Sequence, residues 1–155
     1  MASSRFSVAI HTLALLATHG EKPLKSDFIA CLVKTNAVVI RRLLSDLARA
    51  EIVVSQAGAC GGTKLAKNPR EICLYEVYRA VESGQVFALH RHSPDKKCGI
   101  GRNIEAVLCQ VQTKLDVAIE KSLDQICLED ILQMINAEQL KLGESGNVKD
   151  SDCLS

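Results

Sequence analysis

Aromatic side chains are scarce in this sequence of 155 residues, since tryptophan is absent and aromatic residues make up only 3% of the chain. Hydrophobic residues nevertheless account for 47%, and most of them are Leu, Ile, Val and Ala. This composition favours helices packed on helices over an aromatic-rich β-sandwich. The length predicts one domain, or one domain with an appended element.

Long apolar runs are also missing, because no stretch approaches the roughly 20 residues of a membrane span. The apolar segment near the start, residues 8–17, is interrupted by His11 and Thr12 and is not followed by a cleavage signal. The seven cysteines are odd in number and have no paired spacing, which is typical of free thiols in a reducing compartment. These features predict a cytoplasmic protein.

The net charge of +1 conceals an uneven distribution along the chain. Residues 1–70 contain ten Lys and Arg against four Asp and Glu, whereas residues 71–155 contain nine against fourteen. A basic half is the usual electrostatic footprint of a surface that binds a polyanion. Chance clustering of solvated charges is the alternative explanation.

Helical patterns precede a glycine-rich hairpin within the basic half. Ser26 is a favourable N-cap for a short helix, and Thr35 or Asn36 is a favourable N-cap for the next one. In that second helix, Val39, Leu43 and Leu47 recur at four-residue spacing, and arginines occupy the other side. The order of a short helix, a tight turn and a cationic helix is that of a helix-turn-helix.

The hairpin follows directly, with a β-branched strand at residues 52–55 and a returning strand at residues 63–66 around a glycine-rich turn at residues 58–62. The sequence therefore predicts a mainly α fold with a small β-hairpin wing, in other words a winged helix-turn-helix. After the wing, the periodicity predicts a helix at residues 73–83, a loop, a long helix at residues 101–121 and a last helix at residues 128–138.

Four units are expected along the chain. Residues 1–83 are predicted to form the DNA-binding domain and residues 84–100 a regulatory loop. Residues 101–140 are predicted to form the dimerisation helices, and the polar residues 141–155 a disordered tail.

Double-stranded DNA is the partner that a winged helix-turn-helix predicts. An Asn at the start of the recognition helix can pair with adenine, and Arg side chains can reach guanine or phosphate. The candidate DNA-contacting residues are Arg5, Thr35, Asn36, Val38, Arg41, Arg42, Gly58, Gly61, Gly62 and Lys64. Each feature also has a simpler explanation. Arg41 and Arg42 can form a solvated helix face, the wing can be an ordinary hairpin, and Asn36 can be a plain helix cap.

Several segments, taken in order, resemble the Rrf2 family of bacterial winged-helix repressors, which includes the iron–sulfur cluster regulator, the nitric-oxide-sensing repressor and the cysteine-metabolism repressor. The similarity covers residues 3–138. The matching segments are Arg5-Phe6-Ser7-Val8-Ala9, Val39-Ile40-Arg41-Arg42-Leu43-Leu44, the wing glycines Gly58, Gly61 and Gly62, and Leu74-Tyr75-Glu76-Val77-Tyr78-Arg79-Ala80-Val81. The resemblance implies a homodimer formed through the long helix around Ile104 to Ile119. It also implies a palindromic operator, with the third helix in the major groove and the wing in the minor groove.

Three departures from the family pattern affect this expectation. Glu51 stands where many members have Gly, and Gln56 and Ala57 stand where members often have an Arg that precedes the wing glycine. The clustered cysteines that hold an iron–sulfur centre in some members are missing. A member without a cofactor is therefore expected, and an iron–sulfur or other metal-dependent sensor of the same fold is the alternative.

Cys98 is the thiol most suited to redox regulation. It follows Lys96 and Lys97 and precedes the long helix, and both cations and a helix N-terminus stabilise a thiolate. Such a thiol is open to oxidation to a sulfenic acid and then to a disulfide, with Cys153 or Cys127 as the candidate partner. A Cys buried at a helix start is the structural alternative.

A metal site is the other interpretation of the loop. His90, His92 and Cys98 are ligand types that suit zinc or an iron–sulfur cluster, although a cluster needs several thiolates close together.

Enzymatic function has little support, because the sequence contains no glycine-rich phosphate loop behind a strand and no local Ser-His-Asp signature. A helical module that binds another protein, without DNA, is the second alternative function. It accounts for the long amphipathic helix but not for the wing or the basic half.

Overall fold

The computed structural model describes residues 3–82 and 84–143, and it confirms the mainly α fold with a hairpin wing. The α-helices are α1 (Arg5–His19), α2 (Ser26–Val33), α3 (Ala37–Arg49), α4 (Leu74–Val81), α5 (Gly99–Leu123) and α6 (Leu128–Lys141). The strands are β1 (Val53–Gln56) and β2 (Gly62–Leu65), and a 3₁₀ turn that was not predicted, Pro69–Glu71, precedes α4. None of the described helices is both long enough and apolar enough to cross a membrane.

One hydrophobic core joins the first four helices, the hairpin and the start of α6. Its fully buried side chains include Leu13, Ile29, Ile40, Leu47, Ile52, Ile72, Val77 and Leu128. Each such Leu or Ile contributes roughly 1.5–3 kcal/mol by leaving water. The core therefore holds the helix-turn-helix and the wing together as one body.

The apolar face of α3 differs in one position from the predicted stripe. Ile40, Leu43, Leu44 and Leu47 are buried, whereas Val39 is 43% exposed. At about 100° per residue, the four buried side chains centre on Ile40 and Leu47, and Val39 lies about a quarter-turn away from that centre. Val39 is therefore at the margin of the core rather than in it.

The wing is attached to the connection between α1 and α2. Its strands are antiparallel, with Val53 opposite Leu65 and Gln56 opposite Gly62. The Leu24 amide donates to the Thr63 carbonyl at 2.9 Å, and the Thr63 amide donates to the Leu24 carbonyl at 2.8 Å. These two bonds add Leu24 to the hairpin as a third, one-residue strand.

Glu51 lies in the middle of the connection between α3 and β1 and has a φ of 60°, in the left-handed region. This conformation is easy for Gly and costs about 1–2 kcal/mol for a residue with a Cβ. The family preference for Gly at this position, from which this chain departs, thus has a backbone cause.

The two C-terminal helices are packed in different ways. Leu128, the first residue of α6, is fully buried, and α6 contacts α1 and the 3₁₀ turn. By contrast, no residue of the 25-residue helix α5 is buried, although α5 contacts α4. The long helix therefore presents most of its surface to solvent, while the last helix begins inside the core.

Candidate nucleic-acid interface

The outward face of α3 lies opposite its buried face. Val38, Arg42, Ser45 and Arg49 project there because they fall within about 40° of one direction at 100° per residue. All four are exposed, and Val38 is 47% exposed in spite of its apolar side chain. In the part of the chain that the structure describes, the Arg42 guanidinium has no ion-pair partner. This face combines cationic, hydroxyl and methyl groups that can approach a groove.

Arg41 lies at the edge of that face and points toward the start of α2. Its Nε donates to the Ser26 hydroxyl at 3.2 Å, and its terminal nitrogen pairs with Oδ1 of Asp27 at 3.1 Å. Both partners of the ion pair are more than half exposed. An exposed pair contributes about 0–1 kcal/mol, so a phosphate oxygen can take the place of the carboxylate.

Arg5 makes contacts within the protein. Its Nε donates to the Val81 carbonyl at 2.8 Å, and its guanidinium pairs with Asp46, which Arg49 also contacts. These contacts join α1 to α3 and to the end of α4. Any contact of Arg5 with DNA would therefore use a side chain that already has a structural role.

Thr35 and Asn36, the two candidate residues at the start of α3, both make hydrogen bonds in the turn between α2 and α3. The Asn36 Oδ1 accepts from the Val38 amide at 2.7 Å, as expected of an N-cap. The Thr35 amide donates to the Ala30 carbonyl at 3.0 Å and so closes the end of α2. The cap does not use the amide nitrogen of Asn36, which remains able to donate.

The three wing glycines have different reasons to be glycine. Gly58 has a φ of 103°, and a Cβ there would meet nothing within 4 Å. A Cβ at Gly61 would collide with the Gln56 carbonyl oxygen, and one at Gly62 would lie 2.6 Å from the Leu24 carbonyl oxygen. Gly58 therefore exposes backbone at the tip, whereas Gly61 and Gly62 allow the turn and its attachment to Leu24.

Lys64 of β2 pairs with an acidic residue that follows the end of α1. Its Nζ lies 2.6 Å from Oε2 of Glu21, whose side chain is 93% exposed. The hydrogen bond and the charge of Lys64 lower the pKa of the Glu21 carboxyl. Close by, a cleft of about 400 Å³ between the wing and α2 is lined by residues that include Lys25, Arg41 and Gly58.

The recognition helix and the attached wing are the features of a DNA-binding fold, and the comparison with known proteins agrees. The Rrf2 family, described as iron-dependent transcriptional regulators, matches residues 2–134. The chain belongs to the Rrf2 family. It is therefore a transcriptional regulator with a DNA-binding fold, and not an enzyme, as the sequence predicted.

Relatives of this Rrf2 chain include the protein YwnA of Bacillus subtilis (strain 168), named as an HTH-type transcriptional regulator. The two are 39% identical over 133 residues, which are 85% of this chain and 97% of YwnA. The structure of IscR from T. potens is 27% identical with a TM-score of 0.66 over 90% of each chain. CymR, the global cysteine regulator of B. subtilis, shares the fold at 23% identity and a TM-score of 0.61, over 86% of this chain and 97% of its own.

Cys98 is the N-cap residue of α5 in this Rrf2 chain, and it is exposed. Hydrogen bonds from the Gly101 and Ile100 amides lower the pKa of its thiol. The helix N-terminus, one of the two expected causes, thus acts on the sulfur. Lys96 and Lys97 are not among the causes of the shift.

Gly101 permits the turn that places Cys98 at the helix start. A Cβ at Gly101 would collide with the Asp95 carbonyl oxygen, which also accepts from the Cys98 amide at 3.3 Å. In addition, the Asp95 side chain accepts from the Lys97 amide at 2.9 Å. Sequence reasoning missed Gly101, although a Gly two residues after another Gly at a helix start is a local signal.

Because the Rrf2 family is described as iron-dependent, the His and Cys residues of the loop need to be compared with the ligands of a metal centre. Within residues 3–82 and 84–143, no three His, Cys, Asp or Glu side chains form a group that could hold a metal ion. The two histidines of the loop, His90 and His92, are exposed, and Cys98 is the loop's single thiol. The donor set of one chain therefore does not fit an iron–sulfur cluster.

The acidic partners of the interface cations were also missed by sequence reasoning. Glu21, Asp27 and Asp46 each contact a basic residue of the candidate interface. Asp27, in the first turn of α2, carried only a helix-dipole signal in the sequence. Ser26 is the first residue of α2 and not its N-cap as predicted, because Lys25 holds that position. Cys153, a candidate disulfide partner of Cys98, lies outside the described residues. Cys31 is disulfide-bonded, so the expectation of free thiols is wrong for this cysteine.

Cys98 is expected to react faster with iodoacetamide at pH 7 than Cys60, an exposed thiol in the wing turn. A lowered pKa gives a larger thiolate fraction below the ordinary thiol pKa, so the rate advantage should be at least about threefold and should shrink at high pH. Mass spectrometry of tryptic peptides over time measures both rates in one sample.

Gly101→Ala is the matched variant, because the added methyl group conflicts with the Asp95 carbonyl and should remove most of the rate advantage. Equal rates at Cys98 and Cys60 in the unaltered protein would show that the helix N-terminus does not activate Cys98.

Proposed function

We propose that this chain is a homodimeric repressor that binds palindromic operator DNA through α3 and the wing. The observation that carries the proposal is the outward face of α3, where Arg42 has no ion-pair partner among the described residues and lies among exposed side chains, next to a wing that pairs with Leu24. A chromosomal operator would place the protein in the cytoplasm, as its sequence predicts.

Direct readout in the major groove would come from the first turns of α3. Arg42 can donate two hydrogen bonds to guanine, and the Val38 methyl groups can contact a thymine methyl. Asn36 keeps its amide nitrogen for adenine while its oxygen caps the helix. Arg41 would exchange Asp27 for a phosphate, and Thr35 lies at the end that enters the groove first.

The wing would contribute backbone contacts more than base contacts. Gly58 leaves its backbone open to close approach at the tip, although its carbonyl accepts from the Gly61 amide, and Lys64 can leave the exposed Glu21 for a phosphate. Gln56 and Ala57 provide no cationic side chain for the minor groove. Specificity would therefore depend mainly on α3.

The variant Arg41→Ala with Arg42→Ala should bind the protein's own promoter DNA at least about tenfold more weakly, because a bidentate Arg contact contributes about 1–3 kcal/mol. The slope of log K against log salt should also become shallower, since fewer counterions are released. Fluorescence anisotropy at several salt concentrations measures both quantities.

Two further variants sharpen this test. Lys114→Ala with Lys121→Ala removes the same charge from α5 and should leave affinity within about twofold. Asp27→Asn removes a competitor for Arg41 and should strengthen binding. Undiminished binding by the double Arg variant would contradict the role of α3, and no DNA binding by the unaltered protein would favour a helical interaction module.

Dimerisation through α5 is proposed from the apolar side chains that this helix exposes. Val107, Val111 and Leu115 are 49%, 41% and 38% exposed, and Ile104 and Ile119 continue the pattern toward the two ends. Spacings of three and four residues place such a stripe along one side of a helix, where a second copy of α5 can cover it.

The variant Val111→Asp with Leu115→Asp should be monomeric at micromolar concentration, because two carboxylates would be buried without partners in the interface. Sedimentation velocity reports the change, and circular dichroism should show an unaltered helix content. Gln110→Asp with Thr113→Asp places the same charges on the other side of α5 and should remain dimeric. A monomeric parent protein would contradict the proposal directly.

Thiol oxidation at Cys98 is proposed as the regulatory signal. Cys98 lies in the connection between the DNA-binding unit and α5, and it has a lowered thiol pKa and free access to solvent. A peroxide would convert the thiolate to a sulfenic acid, which a second thiol can then attack. We propose that this response operates without a metal or cluster.

Cys98→Ser should keep its DNA affinity after mild peroxide treatment, whereas the parent protein and Cys109→Ser should both lose affinity. Cys109 is a suitable control because it is exposed on α5 without a position at the helix start. Anaerobically purified protein should be colourless and free of iron. A normal oxidative response in Cys98→Ser would exclude Cys98 as the sensor, and brown protein with bound iron would favour the cluster alternative.

A further inference from the structure

Two other thiols face each other where α4 and α6 begin. Cys73 and Cys127 form an isolated antiparallel bridge, although 54 positions separate them in the sequence. The Leu74 amide donates to the Ile126 carbonyl and the Leu128 amide donates to the Ile72 carbonyl, both at 2.9 Å. These bonds bracket the two cysteines, which therefore form a non-hydrogen-bonded pair.

Such a pair has the backbone separation that a disulfide needs. Residues opposed in this way have Cα atoms about 4.5 Å apart and side chains on the same face. Disulfides span Cα separations of about 4.4–6.8 Å. The backbone at Cys73 and Cys127 thus satisfies the main geometric requirement without any movement of α4 or α6.

The two sulfurs are free and half-buried, and each now contacts a carboxylate. The Cys73 Sγ lies 3.2 Å from Oδ1 of Asp124, and the Cys127 Sγ lies 3.2 Å from Oδ2 of Asp130. A cysteine sulfur changes its position by rotation about χ1, so the two sulfurs can leave these carboxylates without a movement of the backbone.

We propose that Cys73 and Cys127 are a dithiol site that a peroxide closes to an intramolecular disulfide. One sulfur attacks the peroxide, breaks the O–O bond and becomes a sulfenic acid with release of one water. The second sulfur attacks the sulfenic sulfur and forms the S–S bond with release of a second water. Two thiols and one hydrogen peroxide thus give one disulfide and two waters, and the two electrons pass to the peroxide.

This site differs from Cys98 in its expected rate. Burial and the hydrogen bond to Asp124 raise the pKa of Cys73, whereas the pKa of Cys98 is lowered. Formation of the disulfide should therefore be slower than oxidation of Cys98. It should require a higher peroxide concentration or a longer treatment. A time course of peroxide treatment can therefore distinguish oxidation of Cys98 from formation of the disulfide.

Closure would affect the chain between the two cysteines. This segment contains α4, the loop and all of α5, so the disulfide would fasten both ends of the segment that carries the long helix. A cross-link that closes a loop of this length restricts the unfolded chain strongly and stabilises the folded protein. The inference depends on the bridge geometry and not on DNA binding.

Mass spectrometry of the full-length chain provides the test. After treatment with hydrogen peroxide and blocking with iodoacetamide, trypsin should yield a cross-linked pair of peptides, residues 71–79 joined to residues 122–141, that dithiothreitol separates. The thermal midpoint should rise by about 5 °C or more and return after reduction. Cys98→Ser should show the same cross-link.

Cys73→Ser and Cys127→Ser should each lose the cross-link and the thermal shift, and Cys109→Ser should keep both. Serine is a good N-cap residue, so both variants are expected to fold, and circular dichroism checks this. Failure of the parent protein to form this cross-link, with both sulfurs still alkylated or joined to other cysteines, would overturn the proposal.

Discussion

Two backbone hydrogen bonds between Leu24 and Thr63 set the geometry on which the candidate DNA-binding surface depends. A hairpin with two strands of four residues is marginally stable by itself. Pairing with Leu24 joins it to the helix-turn-helix, and the close approach requires a residue without a Cβ at Gly62. The wing and α3 can therefore present one surface of defined shape to a duplex.

Most acidic residues in the basic half of the chain are paired with cations of this surface. Three of the four acidic residues in the first 70 contact cations of the candidate interface, namely Glu21, Asp27 and Asp46. Both members of the Arg41–Asp27 pair are more than half exposed, so this pair is weak compared with several phosphate contacts. Asp46 and Lys64 are only 21% and 25% exposed, so their pairs are partly shielded from solvent. Arg41 is therefore held in a defined position in the free protein, yet little free energy opposes an exchange of its carboxylate for a phosphate.

The two C-terminal helices pack differently in the fold, although their sequences did not distinguish them. Both α5 and α6 are amphipathic, and one dimerisation unit was predicted for residues 101–140. In the fold, Leu128 closes the core of the DNA-binding unit, while α5 buries none of its residues within the chain. The bridge between Cys73 and Cys127 belongs to this junction, because the burial of Leu128 brings the starts of α4 and α6 side by side.

Local chemistry was accessible from the sequence alone. The Asn36 cap, the apolar period of α3, the glycine turn of the wing and the position of Cys98 before α5 all depend on residues within a few positions of one another. Tertiary structure decided the rest: the exposure of Val39, the structural contacts of Arg5, the need for Gly62 and the opposition of Cys73 and Cys127. Those features depend on pairs of residues far apart in the chain, whose distance is set by core packing and not by any local preference.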